Sequence, residues 1–454
     1  MTRGAASAAR HTTTFTANQG EAVHRWFRYS AGFSAAWAEE EIRSHHGSLG
    51  DLGNIGDLGD LGDLGDTGTE GQRGLVLDPF VGSGTTLLAA QAQGMAAVGL
   101  EAHPFVLRVA AAKLAWSSPV DAFRAAARTV LERARLESTV DIAACPLLIR
   151  RIYSEESLGP LLRLRQAWRD DTDPESPAGR LVWLALAAIL RPCALGGTAP
   201  WQYVLPRKRK ARVAEPLAEF ERQVERMSAD MAMFGETLPR PLAPVRLQTG
   251  DARQCAGLED GSVSLVLTSP PYPNNYDYAD ATRLEMSFFD EVSRWGELHE
   301  AARKYLLRSC SQHTAKERLT LEPLLAHARL GPIAEELAPV CHALAECRQE
   351  RAGKKTYDTM IAAYFLDMAE VWQALGRVVR RGGQACLVIG DSAPYGVHVP
   401  VERWLGQLAE AAGFTVVGFD ETRQRNIKWR NRKHRVPLRE GRLWLRRQGH
   451  RRSQ

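Results

Sequence analysis

The sequence predicts an α/β fold built on a doubly wound, mostly parallel sheet. Short apolar runs rich in Val, Ile and Leu alternate along the chain with segments of helical spacing. The runs end in polar or glycine-containing turns, and their continuous apolar character is typical of strands that helices cover on both faces. A chain of 454 residues exceeds one typical domain, so we expect a core that carries large insertions.

Seven apolar runs are the predicted strands. Six of them imply parallel pairing in the core of the sheet. The seventh follows a basic loop with no helix between, so it can pair antiparallel as a hairpin. In chain order the runs are Leu75–Leu77, Ala97–Leu100, Val245–Gln248, Val263–Leu267, Gln384–Ile389, Thr415–Phe419 and Arg442–Leu445.

Composition divides the chain into seven segments. Glycine recurs at every third position from Gly47 to Gly74, mostly as Gly-Asp-Leu and without proline, which indicates a flexible acidic loop rather than a collagen helix. Two other segments, rich in Ala, Leu, Arg and Glu, are predicted helical insertions. The predicted segments are an N-terminal helical region (1–46), the glycine loop (47–74), the first part of the core (75–113), an insertion (114–240), the second part of the core (241–280), a second insertion (281–355) and the remaining core with a basic end (356–454).

The net charge of +5 is unevenly distributed. Residues 421–454 contain thirteen Lys or Arg and two Glu, a balance of +11 that leaves −6 for the rest. A second basic run is Arg207–Lys210. Basic segments of this kind suit phosphate contacts, and a solvated surface is the alternative.

Other features of the composition exclude several classes of protein. No run of about 18 apolar residues is present, which excludes a membrane span, and the first residues lack the apolar region of a secretion signal. Seven scattered cysteines without a CxxC pair favour reduced thiols over a disulfide framework or a zinc site. We therefore expect a cytoplasmic protein without a bound metal.

The segment LVLDPFVGSGTT (75–86) has the order strand, glycine-rich turn, helix. Gly82 and Gly84 let the backbone approach a ligand closely. Glu101 follows Asp78 by 23 residues, at the end of the second strand, where a carboxylate can accept both hydroxyls of a ribose. A nucleotide or a flavin would fit this site as well. The alternative to a ligand site is a tight turn in which the glycines have only a structural role.

Asp251 follows the third predicted strand. An acid in this position faces the same crevice at the carboxyl ends of the strands and can accept a hydrogen bond from an adenine amino group. The alternative is a helix cap, if a helix begins at Ala252.

The fourth strand runs into Thr-Ser-Pro-Pro-Tyr (268–272). Pro270 and Pro271 fix the backbone and present Ser269 and Tyr272 in a preset geometry. Such a turn can bind a planar amine, with hydrogen-bond acceptors on its hydrogens and the ring of Tyr272 stacked on the base. Rate enhancement would then come from positioning and electrostatics. A simple proline turn is the alternative.

Taken together and in this order, DPFVGSGTT, Glu101, GDAR and TSPPY resemble the amino methyltransferases of DNA. The resemblance covers roughly residues 20–112, 245–280 and 356–446. It implies a seven-stranded Rossmann-like methyltransferase sheet, with helical insertions, that binds S-adenosylmethionine. It also implies that the proline turn is catalytic (Ser269, Pro270, Pro271 and Tyr272) and that the cofactor contacts lie at Asp78, Phe80, Gly82, Gly84, Thr85, Glu101 and Asp251.

Upstream, HRWFRY (24–29) is similar to the N-terminal cofactor motif of that family, which implies cofactor contacts from Trp26 and Phe27. Both residues fit equally well as core aromatics. The expected substrate is double-stranded DNA with the target base flipped out of the stack. Asn275 or Tyr276 is expected either to line the base pocket or to belong to a structural loop. The stretch Arg423–Arg439 with Trp429 can contact phosphates and stack on bases.

Ser269 before the two prolines favours the cytosine-N4 enzymes over the adenine-N6 enzymes. The alternatives are an adenine-N6 DNA methyltransferase, an RNA base amino methyltransferase and a non-catalytic nucleic-acid-binding scaffold. The long insertion between the second and third strands departs from the usual place of the target-recognition region. Residues 281–355 and 195–212 are both candidates for reading DNA. A cognate restriction or defence partner is compatible with this family.

Overall fold

The computed structural model confirms the predicted α/β sheet. It describes residues 14–29, 31–50, 74–136, 140–199, 202–238, 241–350, 355–425 and 436–449. Each of the seven predicted apolar runs lies inside an observed strand. The strands are β1 (Leu75–Asp78), β2 (Ala97–Glu101), β3 (Gly196–Thr198), β4 (Val204–Arg209), β5 (Val245–Thr249), β6 (Val263–Thr268), β7 (Val379–Gly390), β8 (Phe414–Arg425) and β9 (Leu438–Arg447).

Seven strands form one mixed sheet in the order β5-β2-β1-β6-β7-β9-β8. The pairs from β5 to β7 are all parallel, and Leu77 pairs with Val98 on one side and Val266 on the other. Strand β9 lies antiparallel between β7 and β8, so that Leu443 pairs with both Leu387 and Phe419. The predicted hairpin is therefore confirmed, and its second strand is inserted into the sheet.

The order of the strands creates a switch point between β1 and β6. From β1 the chain proceeds through β2 to β5 at one edge, and from β6 it proceeds through β7 in the other direction. In sheets of this kind a crevice opens at the carboxyl ends of the two central strands, where ligands bind. The glycine-rich turn and the proline turn both lie there.

Helices surround this sheet. In chain order the α-helices within the described ranges are α1 (Ala35–Gly50), α2 (Thr85–Ala92), α3 (Pro104–Leu114), α4 (Val120–Leu136), α5 (Leu147–Ile152), α6 (Glu155–Asp171), α7 (Pro177–Cys193), α8 (Pro216–Thr237), α9 (Tyr278–Ala281), α10 (Arg283–Phe288), α11 (Leu298–Ala301), α12 (Ser311–Glu317), α13 (Leu321–Leu325), α14 (Ala334–Glu350), α15 (Tyr357–Val378) and α16 (Val401–Ala411). Short 3₁₀ segments span Ala17–Gln19, His24–Trp26, Ala115–Ser117, Trp295–Glu297, Arg303–Tyr305, Ala328–Ile333 and Pro394–Gly396.

The two faces of the sheet bury different helices. Alternate residues of β1 and β6, such as Val76 and Leu267, pack against α1 and α2. The residues between them, such as Leu77 and Val266, pack against α14, α15 and α16. Because side chains of a strand alternate between faces, strands buried on both sides must be apolar throughout, and this is the pattern that predicted them.

The insertion between β2 and β5 has a core of its own. Helices α4 to α8 pack around Trp183 and Leu186 of α7, and α3 joins this core to the sheet. The insertion is not wholly helical, because β3 and β4 form a separate two-stranded antiparallel sheet that contains most of the basic run Arg207–Lys210.

The described residues test several other predictions only in part. Helix α1 continues to Gly50, past the predicted start of the glycine loop at 47, and residues 51–73 lie outside the described residues. All seven cysteines are unbridged. Over the described ranges, no helix combines the length and the apolar character that crossing a bilayer requires, and no cluster of three or more metal-ligating side chains is found in them.

Candidate active site

A cleft opens at the switch point between β1 and β6. Four strands contribute the residues that follow their carboxyl ends. The lining residues are Pro79, Phe80 and Gly82 after β1, Glu101, Ala102 and His103 after β2, Gly250, Asp251 and Ala252 after β5, Ser269 and Pro271 after β6, and Tyr29, Ala31, Tyr278, Tyr305, Leu306 and Leu307.

The backbone conformation of the glycine-rich turn requires glycine at two positions. Gly82 has φ of +55° and Gly84 has φ of +90°, in the left-handed region that other residues rarely adopt. A Cβ on Gly82 would lie 3.4 Å from the ring of Tyr29, so a side chain there would also meet the wall of the cleft. Gly84 faces Ala110 of α3, and the buried Thr85 begins α2. Gly84 and Thr85 therefore shape the turn without lining the cleft.

Glu101 is held by the turn that it faces. Its Oε2 accepts the N–H of Gly82 at 2.8 Å, and its Oε1 accepts the N–H of His103 at 2.8 Å. Burial raises the pKa of Glu101 to about 7, and these two backbone donors oppose that effect. Each oxygen keeps a second lone pair for a ligand hydroxyl. The carboxylate is thus oriented in advance at the edge of the cleft.

Asp78 lies beneath the cleft, not on its wall. Its carboxylate accepts hydrogen bonds from the hydroxyl of Thr268 at 2.6 Å, the hydroxyl of Thr86 at 2.5 Å and the N–H of Phe80 at 3.1 Å. Burial raises its pKa to about 6, although these donors lower it. Direct cofactor contact by Asp78 does not match this position, because its oxygens join β1, β6 and α2 to one another.

Asp251 lines the cleft at the end of β5. No helix begins at Ala252, so the alternative of a helix cap is wrong. The side chain instead forms an ion pair with Arg253 at 2.8 Å, and Arg253 also reaches the buried Asp367 of α15 at 3.3 Å. Asp251 is therefore an oriented acid whose position depends on a buried aspartate in another element.

The proline turn brings Ser269 to the cleft. Its Oγ donates a hydrogen bond to the carbonyl oxygen of Val388 on β7, at 3.2 Å. Pro270 is buried beneath the turn and Pro271 lines the cleft beside Ser269. Because the hydroxyl proton is engaged by the backbone, Ser269 presents its lone pairs to a ligand as an acceptor.

Tyr272 lies next to the cleft and is held from several sides. Its N–H donates to the hydroxyl oxygen of Tyr278 at 3.3 Å. The guanidinium of Arg425, at the end of β8, lies 5.6 Å from the centre of its ring. A Cβ on Gly390 would come within 3.2 Å of the same ring, so glycine makes room for it. Burial raises the pKa of Tyr272, which keeps its hydroxyl neutral.

The loop after the proline turn is anchored by Asn275. Its amide oxygen accepts from the N–H and the hydroxyl of Ser311, at 2.9 and 2.7 Å. This favours the structural alternative for Asn275 over the base pocket. Tyr276 instead lies between two aromatic rings, 4.6 Å from Tyr278 and 5.4 Å from Tyr203.

Trp26 and Phe27 lie away from the cleft, in the core of the insertion. Trp26 is buried and its indole N–H donates to the buried Asp230 of α8, at 2.9 Å. The ring of Phe27 lies 6.0 Å from that of Phe105. The cofactor contacts predicted for these two residues therefore do not match their positions, and the alternative of core aromatics does. Tyr29, two residues further along the same motif, lines the cleft instead.

His103 lines the cleft and was not predicted from the sequence. Its Nε2 lies 3.0 Å from the hydroxyl of Thr282, and its Nδ1 has no hydrogen-bond partner among the described residues. Burial lowers the pKa of His103 to about 4, so the ring is neutral near pH 7. The position of His103, two residues after the predicted acid Glu101, was the available signal. Tyr305, Leu306 and Leu307 come from a stretch without any motif.

The basic stretch at the end of the chain is only partly described. Trp429 and the cations between residues 426 and 435 lie outside the described residues. Its flanks pair with acids, since Arg423 and Arg425 both contact the buried Glu440, at 2.7 and 3.2 Å. Arg439 pairs with Glu402 at 2.7 Å. Arg423 and Arg425 therefore join β8 to β9, whereas Arg439 joins β9 to α16.

Comparisons with known proteins agree with this site. A family model for N6 and N4 methyltransferases, described as DNA methylase, matches residues 69–112, which contain the glycine-rich turn and Glu101. The chain is 21% identical to the type II methyltransferase M.BsoBI of Geobacillus stearothermophilus over 450 residues, which is 92% of this chain and 83% of that protein. It is 27% identical over 152 residues to the type II methyltransferase M.AvaI of Nostoc sp. and to that of Anabaena variabilis, covering 33% of this chain and 30% of theirs.

Proposed function

We infer that this chain, which belongs to the amino DNA methyltransferases, transfers a methyl group from S-adenosylmethionine to the exocyclic N4 amino group of cytosine in DNA. The bound cofactor would supply an electrophilic methyl group. The observation that carries the choice of cytosine is Ser269, which lies on the cleft with its hydroxyl proton engaged by Val388.

The residues of the cleft fit S-adenosylmethionine. Two acids at the ends of neighbouring strands, Glu101 and Asp251, can accept from the ribose hydroxyls and from the adenine amino group. Gly82 leaves space for the methionine part beside Phe80. We assign to Tyr29 the cofactor contact that the sequence had predicted for Trp26 and Phe27. Asp78, Gly84 and Thr85 act by shaping the turn.

The proline turn would hold the target amine. The oxygen of Ser269 accepts one of the two amine hydrogens, and a backbone carbonyl of the turn accepts the other. Tyr272 would stack on the base. Both contacts restrict the amine to one orientation towards the cleft, and catalysis would rest on this positioning and on an environment with little water.

Serine favours cytosine for an electrostatic reason. An ionised carboxylate at this position only accepts hydrogen bonds and adds a full negative charge beside the target. Ser269 accepts while its proton is held by the carbonyl of Val388, so no charge is added. A neutral acceptor suits an amine that is conjugated to the cytosine ring.

We propose two further features of this chain on the basis of its relatives. They are named type II methyltransferases, so we propose a site-specific reaction on double-stranded DNA and a cognate restriction or defence partner. Because a base inside a duplex cannot reach the cleft, the target would be flipped out of the stack. A cytoplasmic location remains a prediction.

The base assignment is tested by identifying the product. DNA and an RNA control are each incubated with the protein and methyl-labelled cofactor, digested to nucleosides and analysed by mass spectrometry. We expect label in N4-methyldeoxycytidine. Label in N6-methyldeoxyadenosine would overturn the choice of base, and label in the RNA control alone would overturn the choice of substrate. Ser269→Ala serves as the control for background methylation, because it removes the acceptor and leaves the prolines in place.

A further inference from the structure

The hairpin of β3 and β4 is attached to the loop that follows the proline turn. The hydroxyl oxygen of Tyr203, directly before β4, accepts the N–H of Asp277 at 2.7 Å, and the ring of Tyr203 lies 5.4 Å from that of Tyr276. The amide of Gln202 donates to the carbonyl of Arg28 at 2.5 Å. The turn of the hairpin therefore has a fixed position beside the candidate active site.

The other end of the hairpin is fixed to the insertion. The ammonium of Lys210 donates to the carbonyl oxygens of Arg191 and Pro192, at 2.6 and 3.2 Å, at the end of α7. The N–H of Lys210 donates to the carbonyl of Leu195 at 3.0 Å. A two-stranded sheet alone is marginal in water, and these attachments hold it in place.

The strand between these ends carries positive charges that have no acidic partner among the described residues. Arg207, Lys208 and Arg209 are exposed, as is Arg212 just beyond the strand. No ion pair joins these four side chains to any part of the chain that the structure describes. Other arginines of the insertion do have acid partners, such as Arg191 with Glu285. The four free cations therefore form a surface that is complementary to an anionic partner.

The strand carries these charges outward from the candidate active site, over a distance that the DNA next to the target base would span. At no more than about 3.3 Å per residue, Arg207 and Arg209 lie at most roughly 13 and 20 Å along the chain from Tyr203. The pairing of β4 with β3 is irregular between Leu205 and Arg209, and Arg207, Lys208 and Arg209 are all exposed there. Phosphate charges follow one another every roughly 3.4 Å along each strand of DNA, so several of them can lie opposite cations spaced in this way. A duplex whose target base enters the cleft would thus pass over the ribbon.

We propose that the ribbon formed by β3 and β4 binds the phosphate backbone of duplex DNA beside the flipped base. The proposal rests on the proposed function and names the surface that orients its substrate. Phosphate contacts by Arg207, Lys208, Arg209 and Arg212 fix the register of the protein on DNA without reading its sequence. The ribbon belongs to the substrate-binding surface and not to the catalytic turn.

The test is the salt dependence of DNA binding by the full-length Arg207→Gln/Arg209→Gln variant. The dissociation constant for a duplex is measured between 50 and 200 mM salt. Each lost phosphate contact removes about 0.9 from the slope of log affinity against log salt, so we expect a slope reduced by about 1.8. The matched control is Arg124→Gln/Arg128→Gln on α4, which removes the same charge from exposed arginines that also have no ion pair in the described part of the chain.

Three results separate the possibilities. A smaller slope in the ribbon variant alone, with S-adenosylmethionine affinity unchanged, supports the ribbon. An equal loss in both variants means that only the net charge matters and overturns the inference, as does an unchanged slope in both. If the wild-type protein does not methylate DNA at all, the proposed function fails. If it does methylate DNA and the slopes do not differ, only the ribbon inference fails.

Discussion

At the scale of single residues, we expect a substitution of Tyr272 to affect methyl transfer but not cofactor binding. The ring is held between Arg425 and Gly390 and is absent from the lining of the cleft, whereas Ser269 and Pro271 line it. We expect Tyr272→Ala to abolish methyl transfer, because stacking on the base is lost, while S-adenosylmethionine affinity stays within about threefold. Single-turnover transfer and calorimetric titration measure the two effects.

Tyr272→Phe is the matched control for this prediction. It keeps the ring and removes the hydroxyl, so most of the transfer rate should remain. If the alanine variant transfers at a rate comparable with the wild type, the stacking role is wrong. If it loses cofactor affinity to the same degree as transfer, Tyr272 supports the cleft rather than the base.

Glu101 makes cofactor binding depend on pH. Burial raises its pKa to about 7, so in the free protein the carboxyl takes up a proton as the pH falls below that value. A protonated carboxyl loses part of its acceptor capacity for ribose hydroxyls. We therefore expect S-adenosylmethionine affinity to fall as the pH drops below about 7, by at most about tenfold for each pH unit, and to be constant above it.

Glu101→Gln tests whether this group is responsible. The variant should bind weakly and with little pH dependence between about 6.5 and 8, because the carboxyl that titrates in this range is gone. A wild-type affinity that is flat over the same range would contradict the assignment.

The same raised pKa means that the folded apo protein holds a proton that the unfolded chain releases above pH 4.5, so this carboxyl favours folding less as the pH rises towards 7.

The sequence predicted the site residues next to the strand ends, but not those whose position depends on tertiary packing. Phe80, Gly82, Glu101, Asp251 and Ser269 line the cleft because each lies at or shortly after the carboxyl end of a strand of the sheet. The N-terminal motif was assigned to Trp26 and Phe27. Which of its aromatics faces the ligand depends on how the segment packs against α3 and α8, and the motif itself does not contain that information.

At the scale of elements, helix α15 supports the cleft through the fully buried Asp367. Its carboxylate accepts the N–H of Arg308 at 2.8 Å and pairs with the guanidinium groups of Arg308 and Arg253. Arg308 follows Leu307 on the wall of the cleft, and Arg253 holds Asp251. We expect Asp367→Asn to reduce the free energy of unfolding by about 3–5 kcal/mol, because two largely buried cations lose their common anion.

Asp260→Asn is the matched control for the buried aspartate. Asp260 pairs with Arg377 at 2.9 Å, but its side chain is 76% exposed, so its loss should cost less than about 1 kcal/mol. Denaturant titration compares the two variants. Weaker S-adenosylmethionine binding by Asp367→Asn, at a temperature where it remains folded, would show that the pair positions Asp251. Equal stability in both variants would contradict the role given to Asp367.

The elements that could be predicted are those with a short run rich in apolar residues. All seven strands of the main sheet have such a run, although polar residues interrupt it in β5, and the basic loop before the last strand indicated the hairpin. Strands β3 and β4 were missed because Gly-Gly-Thr and a run of cations do not alternate apolar with polar residues. Their pairing depends on attachment to α7 and Tyr203, which no local pattern encodes.

At the scale of the whole molecule, two basic segments begin near the candidate active site. In the ribbon, β4 begins directly after Tyr203, beside the loop after the proline turn. The loop between β8 and β9 begins after Arg425, whose guanidinium lies over Tyr272. The remainder of the chain outside residues 421–454 has a net charge of −6, so attraction to DNA has to come from such local segments.

Neutralising Arg430, Arg432, Lys433 and Arg435 should flatten the salt dependence of DNA binding independently of the ribbon. These residues lie outside the described residues, and the prediction rests on their charge and on the position of Arg425 at the end of β8. Four lost phosphate contacts would remove about 3.6 from the log–log slope. If the two segments contact separate phosphates, combining this variant with Arg207→Gln/Arg209→Gln should give the sum of the two reductions. Binding of duplex DNA across a salt series measures all three variants. An unchanged slope in the four-residue variant would make the segment a solvated surface, and a combined loss well below the sum would mean that both segments compete for the same phosphates.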